Sequence, residues 1–185
     1  MKKSLFLLIF IFFPNLHKSQ NKKDSFLARN YIGFYGIGVS TSIDRNSDYL
    51  ERSEGRNFKE FSFEISTSQG FKFFNRFVVS AMVAFDKHTG YHRLFLPVKG
   101  DVKYFFKPID SEENNFFVYG NFGRNIGLSE NFANGLSSSF GFGILLNGDF
   151  NEKIYVSLEI KNQQDTYNNK NYSFGNTGFN FGINF

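Results

Sequence analysis

Lys153-Ile154-Tyr155-Val156-Ser157-Leu158-Glu159-Ile160-Lys161 is the stretch on which the fold turns. Ile154, Val156, Leu158 and Ile160 alternate with Tyr155, Ser157, Glu159 and Lys161. Successive side chains of an extended strand point to opposite faces, so a period of two makes this a strand with one apolar and one polar face. The same pattern recurs along the chain. Phe61, Phe63 and Ile65 alternate with Ser62, Glu64 and Ser66 in 60–66. Val98, Gly100, Val102, Tyr104 and Phe106 alternate with Lys99, Asp101, Lys103 and Phe105 in 98–106. Leu136–Leu146 sets Phe140, Phe142 and Ile144 against Ser and Gly, and Phe179, Phe181, Ile183 and Phe185 alternate with Asn180, Gly182 and Asn184. Three less regular stretches complete the set: the Gly-rich Tyr31–Ser42, Phe77–Phe85 with Ser80 as its one clearly polar residue, and Phe116–Arg124. No segment after residue 20 keeps apolar residues at helical spacing for three turns.

Eight strands of roughly ten residues are thus expected, the length a tilted strand needs to cross a bilayer. Polar connections separate them in two alternating sets. Ile43–Asn57, Lys87–His92, Asn125–Asn134 and Asn162–Asn171 fall at one end, and Lys72–Arg76, Lys107–Asn115 and Asn147–Glu152 at the other. Longer outer loops and shorter periplasmic turns are the usual asymmetry of outer-membrane barrels, although Lys87–His92 is short for a loop and Lys107–Asn115 long for a turn.

Aromatic residues make up 20% of the 185-residue chain, with 28 Phe, 9 Tyr and no Trp, yet mean hydropathy is -0.31. Large rings diluted by Asn, Ser, Gly and charge suit strands that face lipid on one side and a polar interior on the other. Alternation alone also fits a soluble barrel, which puts its apolar face inside. Two features favour the opposite sense. The apolar face carries more Phe than an eight-stranded interior would hold. The polar face carries balanced charge in Glu64, Lys99, Asp101, Lys103, Glu159 and Lys161, a luminal network able to pair and plug the interior. Pro97 cannot donate to a ladder and is expected near the outer rim or at a bulge.

Residues 1–19 read as a signal peptide: Lys2-Lys3, the apolar run Leu5–Phe13, the breaker Pro14 and a small Ser19 at the expected cut. Residues 20–185 then form the barrel domain. Without Lys2, Lys3 and Lys18 the 21 basic residues fall to 18 against 17 acids, so no nucleic-acid partner is expected. The absence of Cys removes any disulfide framework or thiolate metal site.

The terminal strand with Phe179, Phe181, Ile183 and Phe185 resembles the assembly signal of bacterial outer-membrane barrels, read by the barrel-assembly machinery. The sixth position from the end is Asn180, where such strands commonly have Gly. Leu96–Phe106 followed by Phe116–Gly123, with the Phe-, Asn- and Lys-rich composition, is similar to the small outer-membrane β-barrel domain proteins of Bacteroidetes. The resemblance implies an eight-stranded antiparallel transmembrane up-and-down barrel in a Gram-negative outer membrane, with membrane lipid and the assembly machinery as partners. It carries over no functional residue.

Signals for chemistry are weak. Asp86, His88 and His92 have donor types that suit a divalent ion, but a loop at that spacing fixes no geometry. The oxygen-rich run Asn162–Asn171 reads first as a solvated loop and only second as a Ca2+ ligand set. Gly33, Gly36 and Gly38 lack the order and following helix of a phosphate-binding loop. A deacylase-like enzyme would need a nucleophile beside one of two clustered histidines, and no such pair stands out. The sequence therefore points to a structural or surface-interaction barrel with no cofactor and an extracellular ligand it does not identify. The alternatives are a small transport barrel, a lipid-modifying enzyme and a secreted soluble barrel.

Overall fold

The computed structural model describes residues 29–43, 61–89, 93–129, 132–147, 153–167 and 170–185. The expected leader and most of the Ile43–Asn57 connection lie outside them. The strands are β1 (Tyr31–Ser42), β2 (Phe61–Phe73), β3 (Phe77–His88), β4 (Arg93–Phe105), β5 (Asn115–Gly127), the two-residue β6 (Phe132–Ala133), β7 (Gly135–Leu146), β8 (Lys153–Tyr167) and β9 (Lys170–Asn184). Each long strand neighbours the next long strand in sequence. β9 pairs antiparallel with both β8 and β1, so eight long strands close into an up-and-down barrel without edges. β6 adds only a short pairing at the far end of β8.

Several strands outrun their alternation. The expected loop Asn162–Asn171 is instead the end of a β8–β9 hairpin whose ladder continues to Tyr167↔Lys170. Likewise β3 extends through Asp86 to His88, which shortens the expected Lys87–His92 connection to 89–92. Backbone ladders do not depend on side-chain polarity, so a strand persists where its hydrophobic pattern has stopped. Pro97 lies within β4 rather than at a bulge. The β4–β5 ladder runs through Pro97↔Asn125, while β3–β4 partners are missing between Val83↔Val98 and Asp86↔Phe95. The register is the same on both sides of that gap, so the missing donor costs pairing on one side only.

Burial follows the polar face. In β8, Tyr155, Ser157, Glu159, Lys161 and Gln163 are buried, while Ile154, Leu158 and Ile160 are exposed. Phe61, Phe63, Ile65, Phe122, Phe140, Phe142, Phe179 and Phe181 likewise stand on the outer wall. The interior is therefore polar through the middle of the barrel.

The end bearing the turns 74–76, 106–114 and 147–152 is different. There Phe34, Phe105, Phe117 and Tyr155 pack with Ile32, Val78, Ile109 and Leu145. Phe117 lies 5.1 Å from Phe105 and 6.2 Å from Tyr155 between ring centroids, and Phe34 contacts Tyr155 edge-on at 6.0 Å. Phe117, Tyr155 and the neighbouring Tyr119 fit because glycine stands directly opposite each on an adjoining strand, in the pairs Phe117↔Gly143, Tyr119↔Gly141 and Tyr155↔Gly182. A Cβ at Gly141 would lie 2.5 Å from the Tyr119 ring, and one at Gly143 2.6 Å from Phe117.

The long 106–114 connection covers this aromatic floor. Ile109 is 3% exposed and its N–H bonds to Asn75 O at 2.8 Å. Lys153 Nζ donates to the carbonyls of Ile109 and Ser111 at 2.8 and 2.5 Å, and Lys72 pairs with Asp110 at 2.6 Å. Asn115 accepts from Lys107 N and donates to Lys107 O. Lys107 also bonds Glu113, and that hydrogen bond, with the ammonium charge, holds the exposed Glu113 carboxyl below its ordinary pKa. The long turn is thus held against the aromatic rings by buried Ile109 and by the lysines of β2 and β8.

Gly141→Leu is expected to destabilise the fold by overpacking, by about 1–3 kcal/mol or more. A lower urea midpoint of the refolded protein checks this, and an unchanged midpoint would mean the Gly–aromatic pairing is not needed.

Candidate functional site

The six charged residues singled out from the sequence come from three strands: Glu64 from β2, Lys99, Asp101 and Lys103 from β4, and Glu159 and Lys161 from β8. All six face the interior and are buried. The interior position follows from strand parity, and their proximity follows from closure of the ring.

Lys161 is the hub. It is 1% exposed, and its Nζ donates to Glu64 Oε2 at 2.5 Å and to Asp86 Oδ2 at 2.7 Å. Asp86 Oδ2 also accepts from Gln163 Nε2 at 2.8 Å, and Gln163 Oε1 accepts from Asn176 Nδ2 at 3.2 Å. One ammonium thus ties β8 across the interior to β2 and β3. Asp101 forms a second group. It bonds Lys103, accepts from Ser80 Oγ at 2.8 Å and Ser68 Oγ at 3.2 Å, and those two hydroxyls share a bond of 2.7 Å. Lys103 Nζ also lies 4.7 Å from the Phe34 ring centroid, where the polar middle meets the aromatic floor.

Glu159 has a softer environment. Tyr119 OH donates to it at 3.3 Å and accepts from Asn180 Nδ2 at the same distance. Lys99 has no ion pair among the described residues; it lies in the field of Glu64, Glu159 and Asp86, and of Lys161. Charges removed from water are tolerated only when others balance them, and here the balance is shared across a cluster rather than made pair by pair.

Sequence reasoning missed Asp86, His88 and Arg93, all buried on this inner face. The alternation stops at Phe85, so the sequence puts His88 in the expected Lys87–His92 connection with Asp86 beside it. Instead they continue the inward parity of Ser80, Met82 and Ala84, and Arg93 continues that of Lys99. Following parity past Phe85 would have found them. His88 Nε2 is 3.4 Å from Asp86 Oδ2, and His92 lies outside the described residues. Among those residues no group of three metal-ligating side chains assembles. Ser62 stands opposite His88 in the ladder, but its hydroxyl is bonded to Ser40 at 2.6 Å, and Asp86 is already held by Lys161 and Gln163.

A cavity of about 40 Å³ lies between the polar middle and the floor, bordered by Glu64, Asp101, Lys103, Asn121, Tyr155 and Glu159 among others. It is water-sized. Among the described residues Asp101 Oδ1 and Asn121 Oδ1 have no hydrogen-bond partner, and neither do the side chains of Asn125, Ser137 and Ser139 along the β5–β7 wall. Buried polar atoms of this kind are normally satisfied by ordered water.

The terminal-strand residues lie on the outer wall. Phe179, Phe181 and Ile183 are exposed, and Phe185 stacks on Tyr35 with ring centroids 5.0 Å apart. β9 is the strand that closes the ring between β8 and β1.

No family model matches the chain, and no curated protein matches it in sequence. Among solved structures it is similar to one described as a de novo designed transmembrane β-barrel, at 12% identity and a TM-score of 0.46, over 84% of this chain and 93% of the other. It is also similar to outer membrane protein AlkL in its solid-state NMR structure in DMPC lipid bilayers, at 9% identity and a TM-score of 0.43, over 84% and 89% of the two chains.

Lys161→Met should cost roughly 3–5 kcal/mol, because it leaves Glu64 and Asp86 buried without their cation. Adding Glu64→Gln and Asp86→Asn to that variant should recover a large part of the loss. Urea unfolding of the three proteins checks both statements.

Proposed function

We propose that this chain is an integral barrel of a Gram-negative outer membrane, acting as a structural or surface-interaction protein whose interior is packed rather than open. The observation that carries this reading is the inversion of burial, with Lys161, Glu64 and Asp86 inside and the Phe, Ile and Val residues of all eight long strands outside. In water such a wall would be an apolar patch far beyond what soluble monomers expose. In a bilayer the same wall is solvated by lipid, and the closed ladder pairs its backbone groups against hydrocarbon on both sides of every long strand, the gap beside Pro97 apart.

The packed interior argues against a solute path. Aromatic rings and the 106–114 turn fill one mouth, and the cavity of about 40 Å³ above them has room for little more than water. The connections at the opposite end, 43–60, 89–92 and 128–134, are what the barrel would display to an extracellular partner. The outward Phe179, Phe181 and Ile183, with Phe185, are in this reading the strand presented to the barrel-assembly machinery.

The test is fractionation followed by SDS electrophoresis with and without boiling, then conductance in planar bilayers. An outer-membrane band that shifts on heating, with no porin-like conductance, is the expected result. A soluble protein without the shift would overturn the membrane reading, and steady open-channel current would replace the packed barrel with a transport one. Phe185→Ala should lower the amount reaching the outer membrane while leaving refolding in detergent micelles nearly unchanged. Equal loss of both would make Phe185 a packing residue and not an assembly signal.

A further inference from the structure

Among the described residues the interior of the barrel carries charges of both signs and the outer wall of the strands carries one. Of the strand residues whose side chains are described, only two are both charged and outward-facing, Lys87 on β3 and Arg124 on β5, and both are cations. Both are exposed, and neither has a hydrogen-bond or ion-pair partner among the described residues. Both lie in the half of their strands away from the 74–76 and 106–114 turns. At the turn end, by contrast, Lys72 and Lys107 are already paired, with Asp110 and Glu113.

The ladder sets how far apart the two cations stand. Lys87 is opposite Leu94, Leu94 O accepts from Leu128 N, and Arg124 is four residues before Leu128 on the same outer face. At strand spacings this is about 13 Å along the strands and about 10 Å across them. Leu94, Val98 and Ile126 occupy the apolar ground between. The long side chains of Lys and Arg can close much of that gap by reaching toward the polar side of a membrane interface. An outward cation is costly at mid-bilayer but nearly free at the headgroup level. The placement of both residues therefore fits the headgroup layer on the loop side.

We infer that Lys87 and Arg124 form a docking surface for a phosphate-bearing lipid of the leaflet on the loop side. Its phosphates meet the ammonium and the guanidinium, and its acyl chains lie on the wall below. The guanidinium offers a planar fork of donors that matches phosphate oxygens, and Lys87 adds a point charge. This inference rests on the membrane reading above and adds a specific lipid to it.

The test uses the full mature barrel refolded into phosphatidylcholine vesicles with and without lipid A, and measures lipid A retained on the protein after gentle detergent extraction by native mass spectrometry. Each cation near the surface contributes about 1 kcal/mol, so Lys87→Gln or Arg124→Gln should weaken retention about fivefold, and the double variant about 25-fold. Arg76→Gln, a cation at the turn end, should leave retention unchanged, and removing the lipid's phosphates should reduce wild-type retention to that of the double variant. Wild-type retention by the double variant, an equal loss in Arg76→Gln, or indifference to dephosphorylation would each overturn the inference. Each protein is first checked for its heat-dependent gel shift. A wild type that neither inserts nor shifts refutes the membrane reading itself, whereas an inserted barrel with unaltered lipid retention refutes only the lipid site.

Discussion

The bridge from Lys161 to Glu64 and Asp86 is the constraint around which the interior is arranged. An ammonium at 1% exposure has no access to bulk water, so it requires acids that converge on it from other strands. That requirement fixes which faces of β2, β3 and β8 turn inward, and with a period of two it fixes every other side chain on those strands as well. A shift of one residue in any of them would send the charges to the outer wall and bring Phe or Ile inside.

The two ends of the interior solve different problems. In the middle, small hydroxyl and amide side chains surround the charges and leave a little room for water. At the turn end rings pack together, and for Phe117, Tyr119 and Tyr155 glycine on the opposing strand makes the room. Glycine costs a strand backbone entropy, but here its missing side chain is what admits Phe117, Tyr119 and Tyr155. The 106–114 connection packs Ile109 against these rings, with its carbonyls held by Lys153 and an ion pair to Lys72.

Much of the fold is legible in the residues themselves. KIYVSLEIK declares two faces, and the excess of Phe over what a narrow interior can hold argues for the sense in which they point. Less legible were the strand ends. Asn162 and Gln164 lie on the outer face of β8, where polarity reads as loop, yet the ladder to β9 continues past them. The stretch from Asp86 to His88 reads as a strand end and connection for the same reason, since a charged residue after an apolar run looks like the end of a strand. Parity, which does not care about polarity, would have kept them inside.

The sequence by itself determined which side chains share a face, because that depends only on the local geometry of an extended backbone. It also determined the charge balance of the polar face. Only the tertiary structure decided that Lys161 meets Glu64 and Asp86, 97 and 75 residues away, while Lys99 pairs with no acid among the described residues. Those partners depend on the stagger with which eight strands close into a ring. Stagger is a property of the whole circuit of registers, and no single strand encodes it.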